Sequence, residues 1–148
     1  MSDMIITLCG SLNFAKEILE IKNRLEEMGH EVLIPASITV FSIRNENDAE
    51  KLKDGRKKYI DEIKPVYTKE HFKLVEKSDA ILVVNIDKKG IKNYIGGATF
   101  AEIMVAFYLG KKIFFLNPIP RDEKMSFFVD ELECVKPVVL NGNLEMAK

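Results

Sequence analysis

The sequence has few of the residues on which metal centres, disulfide scaffolds and membrane segments depend. It contains two cysteines and two histidines among 148 residues, and these four lie far apart, so no metal site is expected. No apolar run approaches the roughly 18 residues of a membrane-spanning helix. The chain also lacks a basic N-terminal segment followed by an apolar run and a cleavage site. We therefore expect a cytoplasmic protein with no membrane partner.

A strong excess of charge of either sign is also missing. The formal net charge is -1, which offers no basic surface for nucleic acid, so nucleic acid is not an expected partner. Hydrophobic residues make up 47% of the chain and charged residues 30%, the balance of an ordinary globular protein. At 148 residues the chain is predicted to fold as one domain spanning residues 1–148. Nothing in the composition indicates a cofactor.

The first part of the chain reads as a strand, a helix and a second strand. Met4–Cys9 is a short apolar run rich in β-branched residues, and Glu31–Ile34 is another. Between them, apolar residues recur every three or four positions over Leu12–Met28, which predicts an amphipathic helix ended by Gly29. A strand, a helix and a strand of these lengths indicate a βαβ unit with parallel strands and a right-handed crossover.

The second half repeats this alternation. Further strands are predicted at Ala80–Ile86, Ile113–Leu116 and Pro137–Leu140, and helices at Thr99–Leu109 and Asp122–Leu132. Five strands alternating with helices predict a single-domain α/β fold. We expect a doubly wound (Rossmann- or flavodoxin-like) five-stranded parallel sheet with helices on both faces. In such sheets ligands bind outside the carboxyl ends of the strands, so candidate residues are sought there.

The segment between the two halves is harder to interpret. Ala36–Ile43 fits a strand or a loop lining the site, and both alternatives stay open. Asn45–Ile63 is highly charged with sparse apolar positions, which indicates a helix or a helical pair on the surface. Thr68 can cap a short helix that carries Phe72.

The first candidate binding element is the turn after the first strand, Cys9-Gly10-Ser11-Leu12-Asn13. Glycine lets the backbone approach a ligand closely, and the N-terminus of the following helix offers free N–H groups to a phosphate or a sugar. Ser11 could instead be a plain helix cap. The pattern favours the two interpretations about equally.

The second candidate element is the stretch Tyr94–Glu102, in which Gly96 and Gly97 precede a helix. These glycines again favour close approach to a polar ligand. Thr99 and Glu102, however, have the spacing of a T-x-x-E capping box, which would explain this glutamate structurally. Spacing alone favours the cap.

Two further residues are candidates. Asn117 follows a strand and could contact a ligand or only form a turn. By its position alone, His71 on a predicted short helix is a surface residue or a histidine with satisfied hydrogen bonds.

Three segments give the chain a resemblance to the nucleoside 2-deoxyribosyltransferase superfamily, which includes the 2'-deoxynucleoside 5'-phosphate N-hydrolases. They are the opening strand with Cys9-Gly10-Ser11, the stretch Ser78–Val83, and the segment Gly97–Ile103 continuing to Lys112. The resemblance covers about residues 4 to 120. In this family the glutamate that opens the last helix is the nucleophile, a role that the resemblance places on Glu102.

The resemblance also implies a substrate and a set of contacts. The ligand would be a small nucleoside or nucleotide, cleaved or transferred at its N-glycosidic bond. His71 stands where the family often has an aspartate used in proton transfer, so it is the second catalytic candidate, as an acid. Ala98 replaces a glycine that is usual in the family. The candidate substrate contacts are Cys9, Gly10, Ser11, Asn13, Gly96, Gly97, Thr99 and Asn117.

Other functions stay open at the level of sequence. The stretch Gly96–Glu102 is one residue shorter than the GGxGTxxE motif of lysine-decarboxylase-like phosphoribohydrolases, which cut the same type of bond. A nucleotide-binding sensor without catalysis is a third possibility. The family resemblance also implies a homodimer or a larger homo-oligomer.

Overall fold

The sheet has the predicted α/β architecture. A computed structural model describes residues 3–41 and 55–148. Its five strands are β1 (Ile5–Cys9), β2 (Glu31–Leu33), β3 (Ala80–Val83), β4 (Lys112–Phe115) and β5 (Val138–Val139). All neighbouring strands are parallel, in the order β2-β1-β3-β4-β5. This is the flavodoxin-like order, and it confirms the fold class expected from the sequence.

The helices connect the strands and continue the alternation. They are α1 (Ala15–Glu27), α2 (Ala36–Phe41), α3 (Lys64–Lys77), α4 (Gly97–Tyr108) and α5 (Val129–Cys134). Shorter helical pieces are the 3₁₀ turns at Leu12–Phe14, Glu123–Phe128 and Leu144–Met146, the turn Arg56–Lys58 and a π-helical turn at Tyr59–Ile63 that leads into α3. None of the helices in residues 3–41 and 55–148 combines the length and apolarity needed to cross a membrane.

The core consists of two apolar layers, one on each face of the sheet. Successive residues of a strand point to opposite faces, so Leu82 packs in one layer and Ile81 and Val83 in the other. The first layer holds α1 through residues such as Ile18. The second holds α3, α4 and α5 through residues that include Val75, Ile103 and Leu132. Both faces are therefore covered, as short continuous apolar strands predict.

The strand order creates a crevice between β1 and β3. The chain leaves β1 towards β2 on one side and returns to place β3 on the other side of β1. The connections therefore diverge at the carboxyl ends of β1 and β3, where open α/β sheets bind ligands. The turn after Cys9 and the loop after Val83 are at this point.

Three predictions in the middle of the chain need correction or fall outside the structure. The described part of 36–43 is helix α2, neither strand nor loop, while residues 42 and 43 lie outside the described residues. Of the predicted surface helix at 45–63, only residues from 55 onward are described, and they are helical. Thr68 does not cap a helix but lies inside α3, which begins four residues earlier at Lys64. Pro65 at the start of α3 marks that beginning better than Thr68 does.

Candidate active site

A cavity of about 500 Å³ opens at the divergence of β1 and β3. Its size falls in the range of small-molecule sites. The turn after β1, helices α2 and α3, the loop after β3 and the start of α4 all contribute to its wall. The predicted site residues that line it are Gly10, Ser11, His71, Gly96, Gly97, Thr99 and Glu102.

Glu102 is not part of a capping box. Helix α4 begins at Gly97, with Gly96 in an extended conformation as its N-cap, and Phe100 N donates to Gly96 O at 2.9 Å to close the first turn. Glu102 therefore lies in the second turn of the helix, beyond the free N–H groups that a capping glutamate would bind. The predicted Thr99 cap is wrong, and the structural explanation for the glutamate is removed with it.

Glu102 instead forms a buried pair with His71. Its Oε2 lies 2.5 Å from His71 Nδ1, and each side chain is only 7% exposed. On the other side of the ring, Nε2 lies 3.2 Å from the carbonyl oxygen of Leu8. A carbonyl can only accept a hydrogen bond, so Nε2 carries a proton. One proton then lies between Nδ1 and Oε2.

Cys9 is the third member of this group. It is fully buried, and its Sγ lies 3.7 Å from His71 Nε2. Burial raises the pKa of the Cys9 thiol well above its usual range, and the charge of Glu102 together with a hydrogen bond to its carboxylate raises it further. The residue is therefore a neutral thiol that packs against the Glu102–His71 pair.

The same three side chains could in principle bind a metal ion, because their ligand atoms lie within 4.8 Å of one another. The hydrogen bonds argue against this use. Both ring nitrogens of His71 have partners, Leu8 O at Nε2 and Glu102 at Nδ1, and an ion would have to displace one of them. The raised pKa of Cys9 also disfavours the thiolate that a metal prefers. Cys9, His71 and Glu102 are better described as a buried hydrogen-bond network.

The turn after β1 combines the two roles that the sequence left open for Ser11. Its Oγ accepts from Asn13 N at 3.2 Å as a helix cap, and Lys88 Nζ donates to it at 3.2 Å from across the cavity. Gly10 allows close packing, since a Cβ at this position would meet Val84 O at 3.2 Å. Ser11 is thus both a cap and part of the cavity wall.

Three predicted contacts lie elsewhere. In the part of the chain that the structure describes, Cys9, Asn13 and Asn117 do not contribute to the cavity wall. Asn13 Oδ1 accepts from Ser11 Oγ, which keeps it within its own turn. Asn117 pairs with the buried Asn85 through bonds of 2.9 and 3.0 Å, and it lines a separate depression beside β4. Its role in the structure is to join the ends of β3 and β4.

Sequence reasoning missed several polar residues of the cavity. Lys88 lies with its Nζ 4.8 Å from the centre of the Tyr94 ring, and Lys64 with its Nζ 5.8 Å from that of Tyr59. Tyr67 also lines the wall. Tyr94 opens the second candidate stretch, and Lys88 follows β3 at its carboxyl end, a position that could have identified it. Tyr59, Lys64 and Tyr67 carry no such signal, because their place depends on how α3 packs.

Comparison with known proteins does not assign the chain. No protein-family model matches it, and no curated protein does. What the protein does is therefore inferred from the geometry of the cavity and from the residues that carry the resemblance.

Proposed function

We propose that the protein cleaves or transfers the N-glycosidic bond of a (deoxy)nucleoside or its 5'-monophosphate, with Glu102 as the nucleophile. One observation carries the proposal. A buried carboxylate, fixed by a histidine, forms part of a cavity that it shares with the glycine-containing turn after β1. The segment Gly97–Ile103, on which the resemblance depends, brings that carboxylate to the cavity.

The chemistry follows from the demands of the bond. Breaking it sends the electron pair to the departing base and leaves positive charge on the sugar, which a carboxylate stabilises or captures. His71 Nδ1 holds the Glu102 carboxylate through Oε2, and a carboxylate oxygen forms the bond to the sugar carbon. The base takes up a proton from solvent as it leaves, and water then displaces Glu102 and returns a proton to solvent, so one water is consumed for each bond cleaved. A second base in place of water gives transfer.

The charges of the wall favour a substrate with a 5'-phosphate. Lys64 and Lys88 line the cavity, and Lys88 Nζ donates to Ser11 Oγ at 3.2 Å in the same wall. The N-terminus of α4 at Gly97 adds a positive dipole end. We place the phosphate between Ser11, Lys88 and the Gly96-Gly97 turn, with the sugar over Glu102.

The test is a panel of nucleosides and 5'-monophosphates, incubated with and without an acceptor base and followed by chromatography of the free base. We expect the wild type to release base, and Glu102→Gln to be slower by at least about 1000-fold, because an amide cannot act as the nucleophile. Glu131→Gln, an exposed glutamate on α5, is the control and should match the wild type.

The outcomes separate the alternatives. An active Glu102→Gln protein would contradict the proposal. Release from ribonucleoside monophosphates alone would favour a phosphoribohydrolase. Binding of nucleotides with no base released would favour a sensor without catalysis.

We further propose that the protein is a cytoplasmic homodimer. Both cysteines are free thiols, which suits a reducing compartment. An apolar groove of about 430 Å³ between α3 and α4 includes Tyr108, which is 88% exposed. Lys73 and Glu76 also line it and carry opposite charges, which can pair between two copies related by a two-fold axis. We therefore propose a second copy as the occupant of this groove.

A further inference from the structure

We infer that His71 is a positioning residue for Glu102, and not the acid that protonates the departing base. The inference rests on the proposed function for its kinetic readout, but its structural content concerns one ring and its neighbours. His71 has both ring nitrogens engaged, one by the Glu102 carboxylate and one by a main-chain carbonyl of β1.

Nε2 of His71 is held by the main chain of β1. Leu8 O lies 3.2 Å from this nitrogen, and the backbone of β1 is fixed between β2 and β3. Because the carbonyl accepts only, it keeps the proton on Nε2 and so selects the form of the ring that presents Nδ1 to Glu102. Cys9 Sγ at 3.7 Å closes the same flank of the ring with a neutral thiol. Nε2 is therefore directed away from the substrate.

Nδ1 of His71 is held by the carboxylate of Glu102. It lies 2.5 Å from Glu102 Oε2, and both groups are almost completely buried. A substrate in the cavity therefore meets the ring of His71 without a free nitrogen to give it a proton. To reach the base, the proton at Nδ1 would first have to leave the carboxylate, which is its closest acceptor.

The Glu102–His71 pair as a whole has no net charge. With one proton between them, the two side chains are either imidazolium and carboxylate or imidazole and carboxylic acid, and neither arrangement has a net charge. The nucleophile requires the first arrangement. The hydrogen bond from Nδ1 then fixes the orientation of the carboxylate during attack. It also stabilises the negative charge that returns to Glu102 when water displaces the sugar.

The decisive variants are His71→Asn and His71→Ala. The Asn amide nitrogen can take the place of Nδ1 and donate to Glu102, but an amide cannot act as a Brønsted acid near neutral pH. If His71 positions Glu102, His71→Asn should keep kcat within about tenfold of the wild type, whereas His71→Ala should lose about 100-fold with little change in KM. Thermal melting of each variant checks that it is folded.

The contrary result is equally clear. If His71→Asn is folded and as slow as His71→Ala, the ring is needed as an acid and the inference is wrong. Equal activity of wild type and His71→Ala would also overturn it.

A second measurement needs no substrate. Long-range ¹H–¹⁵N NMR spectra of the uniformly labelled protein report which ring nitrogen carries a proton. The sequence has two histidines, so the signals of His71 are those lost in His71→Asn. We expect Nε2 of His71 to be protonated near neutral pH, and the Nδ1 signal to shift in Glu102→Gln. An unprotonated Nε2, or an Nδ1 signal that does not shift in Glu102→Gln, would overturn the inference.

The two measurements distinguish the inference from the proposed function. If no nucleoside or nucleotide is cleaved, the proposed function fails, and the NMR result alone decides whether His71 holds Glu102 in this way. If base is released and Nε2 is unprotonated, the proposed function is supported but His71 does not position Glu102 in this way.

Discussion

At the scale of single residues, burial determines how the polar side chains of the cavity pair and ionise. Cys9, His71 and Glu102 come from β1, α3 and α4, and each is almost completely shielded from solvent. A buried polar group is costly unless it has a partner, and here each of the three contacts the other two. Removing any one of them should therefore disturb the other two, which makes conservative substitutions more informative than alanine.

The raised pKa of Cys9 predicts how stability depends on alkaline pH. An unfolded thiol ionises near pH 8.5, while the folded thiol keeps its proton to well above that pH. Its contribution is fully present below about pH 8.5 and is lost as pH rises above it, by up to about 1.4 kcal/mol per pH unit. Urea unfolding at several pH values between about 7.5 and 9.5 measures this decline.

The matched protein for this test is Cys9→Ala, which we expect to be less stable near neutral pH but to decline less steeply above pH 8.5. Burial also raises the pKa of Tyr59, but that residue is common to both proteins and cancels in the comparison. Parallel declines in the two proteins would show that Cys9 ionises when folded as readily as when unfolded.

Single residues also show what the sequence could reveal of the site. Glu102, His71 and the two glycine turns line the cavity, and a strand end or a resemblance marks each of them in the sequence. The bond from His71 to Leu8 O was not identifiable, since it joins positions 63 residues apart and involves a main-chain atom. Asn117 was misplaced because its position at a strand end could not reveal its pairing with Asn85.

At the scale of elements, the loop after β3 places Lys88 in the cavity wall. Lys88 and Ile91 exchange two backbone hydrogen bonds, of 3.0 and 2.9 Å, which close a tight turn. Asn93 adopts a left-handed conformation with φ of 56°, and its N–H donates to Asp87 Oδ1 at 3.0 Å. These bonds fix the backbone of Lys88, while its side-chain amine donates to Ser11 in the turn after β1.

Lys88→Met should therefore act on substrate choice more than on chemistry. We expect kcat/KM for 5'-monophosphates to fall about 10- to 100-fold, the equivalent of a lost charge-assisted hydrogen bond, and kcat/KM for unphosphorylated nucleosides to stay within about threefold. Steady-state kinetics with matched pairs of substrates measure both.

Lys92→Met is the control for this prediction, because Lys92 is an exposed lysine of the same loop that lines the other depression. An equal loss for both substrate types in Lys88→Met would contradict a role in binding the phosphate.

The elements also show where local rules are sufficient. Helix α1 was predictable because its apolar positions recur with helical spacing and Gly29 follows it with a positive φ of 101°. The start of α4 was not, since local capping preference favours Thr99 while the helix begins at Gly97. Helix α2 was missed because β-branched residues in ASITVF favour a strand locally.

At the scale of the whole molecule, the parallel sheet determines where the cavity lies. Alternation of strands and helices was enough to predict the α/β class and five strands, because each strand is a short apolar run. The sheet brings the turn after β1 beside the loop after β3, and α4 closes the cavity between them. The outer surface, in contrast, leaves the apolar groove between α3 and α4 open.

Disruption of this groove should change the oligomeric state. We expect the wild type to sediment as a dimer at micromolar concentration and Tyr108→Glu to sediment as a monomer, because a charge would be buried at the interface. Analytical ultracentrifugation measures the mass.

The control for the dimer is Phe127→Glu, which changes an aromatic residue that is 75% exposed and lies outside the groove. It should leave the mass unchanged. A monomeric wild type, or dissociation by Phe127→Glu but not by Tyr108→Glu, would refute the assignment of this surface.

The contact between His71 and the main chain of β1 has a consequence for how this protein can change over evolution or by design. The group that orients the ring belongs to the peptide unit of Leu8, and every amino acid at that position would supply the same oxygen. Residue 8 can thus vary among apolar side chains that fill the core without altering the histidine. An engineer who wished to release the ring would have to shift a central strand, which the rest of the sheet opposes.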